Sequence, residues 1–185
     1  MKKSVTAFAL SAVLATCAMA AEDVSTFSQT ISDKLGKGKI EGQIVTTEIN
    51  TKDDYMSTKR MNIKRVDSKG NVLWTVRDFV EDCPLEAELS LLAPVEVTDV
   101  NDNGLNEVWM LYKMSCRGDV SPSNMKIIMY EGKTKHAMRG YTQIDLPSEG
   151  TFEGGDYKMD ANMENAHPNI REYAELLWNK YKREM

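Results

Sequence analysis

The sequence holds only two histidines and three cysteines in 185 residues. His136 stands among residues of strand character and His167 directly precedes Pro168, so there is no HExxH pair for a catalytic zinc. No CxxC occurs, which leaves neither a redox-active dithiol nor a zinc-binding pair. Gly154-Gly155 lacks the strand-to-helix setting and the lysine of a phosphate loop. Basic clusters are missing too, and the formal net charge is −5. The chain therefore has no electrostatic footprint for nucleic acid or for an anionic membrane surface. Beyond the N-terminus no apolar run approaches a bilayer span, so no transmembrane segment is expected. No internal repeat or low-complexity tract is present, which points to one domain.

What is present begins with a targeting signal. Lys2 and Lys3 precede the almost uncharged run Val5 to Cys17, and Ala18-Met19-Ala20 supplies small residues for a cleavage site. Residues 1–20 are read as a signal peptide, and the mature chain is expected outside the cytoplasm, in the periplasm or at the cell surface. Cys17 follows Leu14-Ala15-Thr16, but threonine fits poorly before a lipidated cysteine and a better peptidase site follows, so lipid anchoring is not expected. About 165 residues remain, enough for one sizeable core. Cys83 and Cys116 are then an even pair in a compartment that permits oxidation. Their disulfide would close a loop of about 34 residues and contribute roughly 3 to 4 kcal/mol. The alternative is two buried thiols.

Residues 21–39 read as a surface leader with one short helix around Ser25 to Leu35, and residues 40–185 as a single β-rich domain. KIEGQIVTTEIN and STKRMNIKRV alternate loosely and are rich in β-branched residues. Asp67 to Asn71 is a turn, and NVLWTVRDFV follows as a strand with Val72, Trp74 and Val76 on one face. Leu85 to Leu92 fits either a strand or a helical turn. EVWMLYKMS is apolar on both faces, as in an inner strand covered on both sides. MKIIMY, the Glu131-Gly132-Lys133 turn and TKHAMRGYTQI make a second hairpin, and residues 147–168 a long irregular segment. Ile170, Tyr173, Ala174, Leu177, Trp178 and Tyr181 recur at helical spacing, with Asn169 and Glu172 as a capping box. The expected fold is α+β and β-rich, an antiparallel sheet of about six to eight strands with a C-terminal amphipathic helix.

Between two apolar runs lies the loop Asp99-Val100-Asn101-Asp102-Asn103-Gly104-Leu105-Asn106-Glu107. Oxygen-bearing side chains fall at positions 1, 3, 5 and 9 with glycine at 6, the spacing that wraps a loop around a hard cation such as calcium. Asp99, Asn101, Asn103 and Glu107 would give side-chain oxygens and Leu105 its carbonyl. Position 12 is Met110, so the helical EF-hand pattern is not met. Without a metal, the same residues would form a self-bonded Asx-rich turn.

Asp99-x-Asn101-x-Asn103-Gly104-x-x-Glu107 followed by VWMLYK resembles the DxDxDGxxD loop and following strand of FG-GAP and VCBS repeats, found in β-propellers and secreted adhesion proteins. The resemblance implies calcium at Asp99, Asn101, Asn103, Leu105 and Glu107. This chain differs in its two asparagines and its single copy. Two carboxylates would just balance a divalent ion, so affinity in the ~0.1 to 1 mM range is expected. More widely, Asp82 to Gly140, with its cysteine pair and CRGDVSPSNMKIIMYEGKTKHAMRG, resembles a family of secreted bacterial proteins labelled as related to surface-polysaccharide biosynthesis. That resemblance implies the cell envelope and names no catalytic residue.

The expected function is an extracytoplasmic, calcium-stabilised, non-enzymatic envelope module that binds a glycan or a protein. The alternative is an envelope polysaccharide hydrolase or modifying enzyme using paired carboxylates among Glu81, Asp82, Asp156 and Asp160. Arg117-Gly118-Asp119 spells an adhesion tripeptide, but three residues match cheaply and a turn accounts for the glycine.

Overall fold

A computed structural model describes residues 20–52, 54–146 and 150–184. Cys17 and the expected signal peptide, Ala20 apart, lie outside the described residues. Strands β1 (Ala20–Asp33), β2 (Gly36–Asn50), β3 (Tyr55–Asp67) and β4 (Val72–Cys83) form an antiparallel meander in sequence order. Next come β5 (Ala87–Leu91), β6 (Glu96–Thr98), β7 (Glu107–Cys116), β8 (Asn124–Glu131) and β9 (Thr134–Tyr141). A small ribbon of β10 (Gln143–Leu146) and β11 (Thr151–Gly154) follows, then β12 (Tyr157–Met159), α1 (Ala161–Glu164) and α2 (Pro168–Tyr181). The second large sheet runs β12-β9-β8-β7-β5, with β6 also paired to β7.

The molecule has three layers. Ile31, Ile40, Met61, Ile63, Trp74 and Val76 of the first sheet meet Leu89, Val108, Met110, Tyr112, Ile128 and Tyr130 of the second. Trp74 stacks on Tyr130 at 4.5 Å between ring centroids. On the far face of the second sheet, Trp109, Leu111, Ile127, Met129 and Met138 are covered by Ile170, Ala174, Leu177 and Trp178 of α2. β7 is thus apolar on both faces because both are packed, and Glu107 to Tyr112 are all buried. Removing a side chain as large as Trp178 from such a site costs roughly 3 to 5 kcal/mol. The β-rich, antiparallel α+β class and the C-terminal helix stand as expected. Cys83 and Cys116 are joined in a disulfide, which ties β4 to β7.

Residues 21–39 are not a leader, and Ser25 to Leu35 is not a helix. They form β1 and the start of β2, paired in register from Ala20↔Ile49 to Asp33↔Gly36. Phe27, Gln29, Ile31 and Asp33 are the less exposed residues between solvent-facing Thr26, Ser28, Thr30 and Ser32, a period of two. Phe27 also lies over its cross-strand partner Gly42, where a Cβ would fall 2.0 Å from the ring. The glycine leaves room for the aromatic ring to cover the sheet.

Other details differ from expectation. Val72 is 54% exposed although Trp74 and Val76 are buried, because β4 carries an extra residue, Leu73, where Arg65 pairs Trp74 and Val66 pairs Val72. The ambiguous Leu85 to Leu92 segment contains a strand, β5. The segment 147–168 is not irregular throughout, since it holds β11, β12 and α1, with 147–149 outside the described residues. The cap of α2 is His167, which accepts from the Asn169 N–H, with Pro168 opening the helix, in place of a box from Asn169 to Glu172.

Candidate metal centre

The loop from Asp99 to Asn106 joins β6 to β7, and Thr98 and Glu107 pair directly at its base. Its side chains fold it from within. Asp99 accepts the Asn103 N–H at 3.0 Å through Oδ1 and the Gly104 N–H at 2.9 Å through Oδ2. Asn101 Oδ1 accepts from the Asn103 N–H at 3.2 Å, and Asn103 Oδ1 from the Leu105 N–H at 2.7 Å. Gly104 sits at φ +78°, and the Lys34 side chain crosses it so closely that a Cβ would come within 2.7 Å of Lys34 Cε. The positive φ favours glycine there, and a Cβ would also displace the end of the Lys34 side chain.

Beneath the loop lies Glu107, 0% exposed. Its Oε2 accepts the Thr98 hydroxyl at 2.7 Å and the Val100 N–H at 3.0 Å, and Trp109 Nε1 in turn donates to Thr98 Oγ1 at 2.9 Å. Its Oε1 is buried and has no partner. A buried carboxylate oxygen left unpaired is costly, which makes the oxygen a ready acceptor for a cation. Glu131 lies directly across the β7–β8 ladder from Glu107. Like charges so placed oppose pairing unless a cation lies between or beside them. Among the described residues none of the ion pairs involves Asp99, Glu107 or Glu131.

Glu131 also orients the amides. Its Oε1 accepts from Asn101 Nδ2 at 2.7 Å and from Asn103 Nδ2 at 2.6 Å. With their NH₂ groups held by Glu131, both amide oxygens turn to the loop. Each accepts one N–H and keeps a second lone pair.

Three layers meet at this loop. From the first sheet, Lys34 N–H donates to the Gly104 carbonyl at 2.9 Å and the Lys34 ammonium bonds the Asn103 carbonyl. Asn106 answers by donating its N–H to Asp33 Oδ2 at 3.2 Å and its Nδ2 to the Ser32 carbonyl at 3.2 Å. Asp33 is clamped by both terminal nitrogens of Arg65, at 2.9 and 2.7 Å, in a pair whose side chains are 1% exposed. Burial alone would raise the Asp33 carboxyl, but Arg65 and the Leu35 and Asn106 N–H groups hold it below its ordinary range. From the helix layer, Asn169 Nδ2 donates to the Val100 carbonyl at 2.8 Å.

The expected ligand residues Asp99, Asn101, Asn103, Leu105 and Glu107 therefore fall on one compact loop. Among the described residues no three His, Cys, Asp or Glu side chains gather as a metal-binding group, so a site here depends on the amides and a carbonyl as well as on Asp99 and Glu107. Hard oxygens of this mixed kind suit calcium, and the unpartnered Glu107 Oε1 is the feature an ion would complete. Lys34, Asn106 and Glu131 were not marked by the loop motif. Only the β7–β8 register, which sets Glu131 opposite Glu107, could have revealed the last of them.

At the other end of β7 a second polar cluster forms. Glu88 pairs Lys113 at 2.6 Å and accepts from Ser115 and Ser123. Arg117 pairs Glu184 at 2.6 Å, and Glu184 also accepts the Thr142 hydroxyl at 2.6 Å. Burial pushes the Glu184 carboxyl up, but Thr142, Arg117 and the charge of Lys113 outweigh it and hold the group at about 2. Arg117 is thereby committed to an internal pair, which removes it from any adhesion tripeptide. Of the carboxylates weighed for hydrolysis, Glu81 pairs Arg60 on the surface, Asp160 caps α1, Asp82 lies at the β4 irregularity, and Asp156 bonds Tyr141 through its carbonyl. Comparison with protein-family models, curated proteins and solved structures gives no match.

Proposed function

We propose that the chain is an extracytoplasmic, non-enzymatic module of the cell envelope whose Asx loop is completed by calcium. The observation that carries this is Glu107, a fully buried carboxylate at position 9 of the loop with one oxygen unpartnered. Asp99, Asn101, Asn103, the Leu105 carbonyl and Glu107 would hold the ion, with Glu131 orienting the two amides. The ion would oppose the carboxylates that no basic side chain pairs at this end of β7, and would couple binding to the docking of all three layers. The envelope assignment rests on the N-terminal signal pattern and on the resemblance of Asp82 to Gly140 to secreted proteins. Calorimetric titration of the mature, oxidised protein tests the site: calcium should bind once, at ~0.1 to 1 mM, and magnesium far more weakly. No calcium-specific heat, or the same heat in Glu107→Gln, would overturn the site.

For the partner, we infer a glycan on the outer face of the first sheet. Thr26, Gln43, Asn62 and Arg77 are successive cross-strand partners, so they form one polar row across four strands. The neighbouring row, Val24-Val45-Arg60-Phe79, ends in a phenylalanine 55% exposed, an apolar plate for a sugar ring. Amide, hydroxyl and guanidinium groups spaced about 4.8 Å apart match a chain of hydroxyls better than they match the apolar centre of a protein interface. Affinity electrophoresis in gels cast with envelope polysaccharide should retard the wild type, and Asn62→Ala with Arg77→Ala should remove the retardation. Equal mobility with and without polysaccharide would overturn the glycan reading.

A further inference from the structure

Among the described residues every sheet edge but one is short or irregular. β12 and β6 have three residues each and β5 has five. β4 is long, but its pairing with β3 breaks register twice. It also points Asp78 inward to Tyr112 and Lys126 and ends in the disulfide. Bulges and inward charges of this kind keep an edge from taking another strand. β1 has no bulge, and its one buried inward charge, Asp33, stands at its last residue. It pairs with β2 over fourteen residues without a shift and is uncharged from Val24 to Ser32. Along its outer edge, among the described residues, the hydrogen bonds are two from Asn106, to the Ser32 carbonyl and to Asp33 Oδ2, both at one end. Beside that edge a cavity of about 630 Å³ separates Phe27–Gln29 from the apolar wall Leu91–Val95, leaving room for the inward side chains of an added strand.

We propose that β1 pairs antiparallel with β1 of a second copy of this chain, joining two four-stranded sheets into one of eight. An antiparallel edge is complementary to itself about a two-fold axis, the commonest symmetry of soluble oligomers. With the axis at Phe27, Ala21 opposes Asp33, Asp23 opposes Ile31 and Thr26 opposes Ser28, so no acid faces another. Opposed residues share a face, so the buried sides of both sheets stay on one side and the outer faces become continuous.

Sedimentation equilibrium of the mature, oxidised protein from micromolar to millimolar concentration tests this. Thr26 and Ser28 are exposed, so lysines there should leave the fold intact, as a circular dichroism melt would verify. A reversible dimer is expected in the wild type. Thr26→Lys with Ser28→Lys sets like charges opposite each other twice and should weaken the dimer about tenfold. Thr26→Lys with Ser28→Glu sets opposite charges there and should restore it. A chain that remains monomeric to millimolar concentration, or a dimer whose dissociation constant is the same in both variants, overturns the proposal.

Discussion

β7 is closed by different chemistry at its two ends, which lie about 30 Å apart along the strand. At Cys116 there is a disulfide and the charges are matched within the chain: two carboxylates, Glu88 and Glu184, are opposed by Lys113 and Arg117, with the buried Arg117 Nη1 left without a partner. At Glu107 the proposed closure is unfinished. Among the described residues no ion pair reaches Asp99, Glu107 or Glu131, and Glu107 Oε1 is buried without a partner. Both ends hold the same two sheets and the same helix layer together. One end balances its carboxylates with basic side chains, and the other leaves them without ion pairs, which is where the proposed ion would act.

Substitutions can break each end separately, and the largest effect is expected where a buried charge loses its partner. Asp33→Ala would leave Arg65 buried and unpaired and would free Asn106, lowering stability by roughly 3 to 5 kcal/mol in chemical denaturation. A loss below about 1 kcal/mol would mean that the β1–β2 turn is not held by this pair. Replacing Cys83 and Cys116 with serine should cost roughly 3 to 4 kcal/mol, measured the same way, and should leave calcium binding at the far end intact.

The balanced end should also announce itself through pH. Glu184 sits below its usual range, at about 2, so its contribution is present above the unfolded value near 4.5 and is lost as pH falls from about 4.5 to about 2. The full shift corresponds to about 3 kcal/mol, which solvent screening of a part-exposed carboxylate reduces, so Glu184→Gln should cost about 2 kcal/mol at neutral pH and nothing below pH ~2, in denaturant titrations across that window. The smallest effect is expected at Gly104. Alanine there is strained at φ +78° and pushes on Lys34, for about 1 to 2 kcal/mol, and a docking role predicts faster amide exchange at Lys34 as well as in the loop.

How far the two ends could be read from sequence follows from what each residue's period reveals. The two-faced β7 and the C-terminal helix were legible from an unbroken apolar run and from helical spacing, and the disulfide from an even cysteine pair whose alternative, two buried thiols, the structure removes. β1 was not legible. Of its inward residues Gln29 and Asp33 are polar, and Asp33 is inward only because Arg65, on a strand still distant in sequence, meets it. The self-bonded Asx turn of the loop was legible from local spacing. The roles of Glu131 and Lys34 depend on strand register and hairpin docking, which no local spacing encodes. Both Asp99 oxygens hold loop N–H groups, so Asp99→Ala should weaken the calcium-free protein as well.

Glu107 is the residue that separates an ion site from an ordinary turn. The deciding measurement is a pair of thermal melts, wild type and Glu107→Gln, each in EDTA, in magnesium and in calcium about tenfold above its dissociation constant. The unfinished-end account predicts a calcium-specific rise of about 3 to 5 °C for the wild type. It predicts no rise for Glu107→Gln, whose melting point in EDTA should be no lower than that of the wild type because a buried, uncompensated charge has been removed. A wild type indifferent to calcium, or a variant that gains as much from it, would contradict the account.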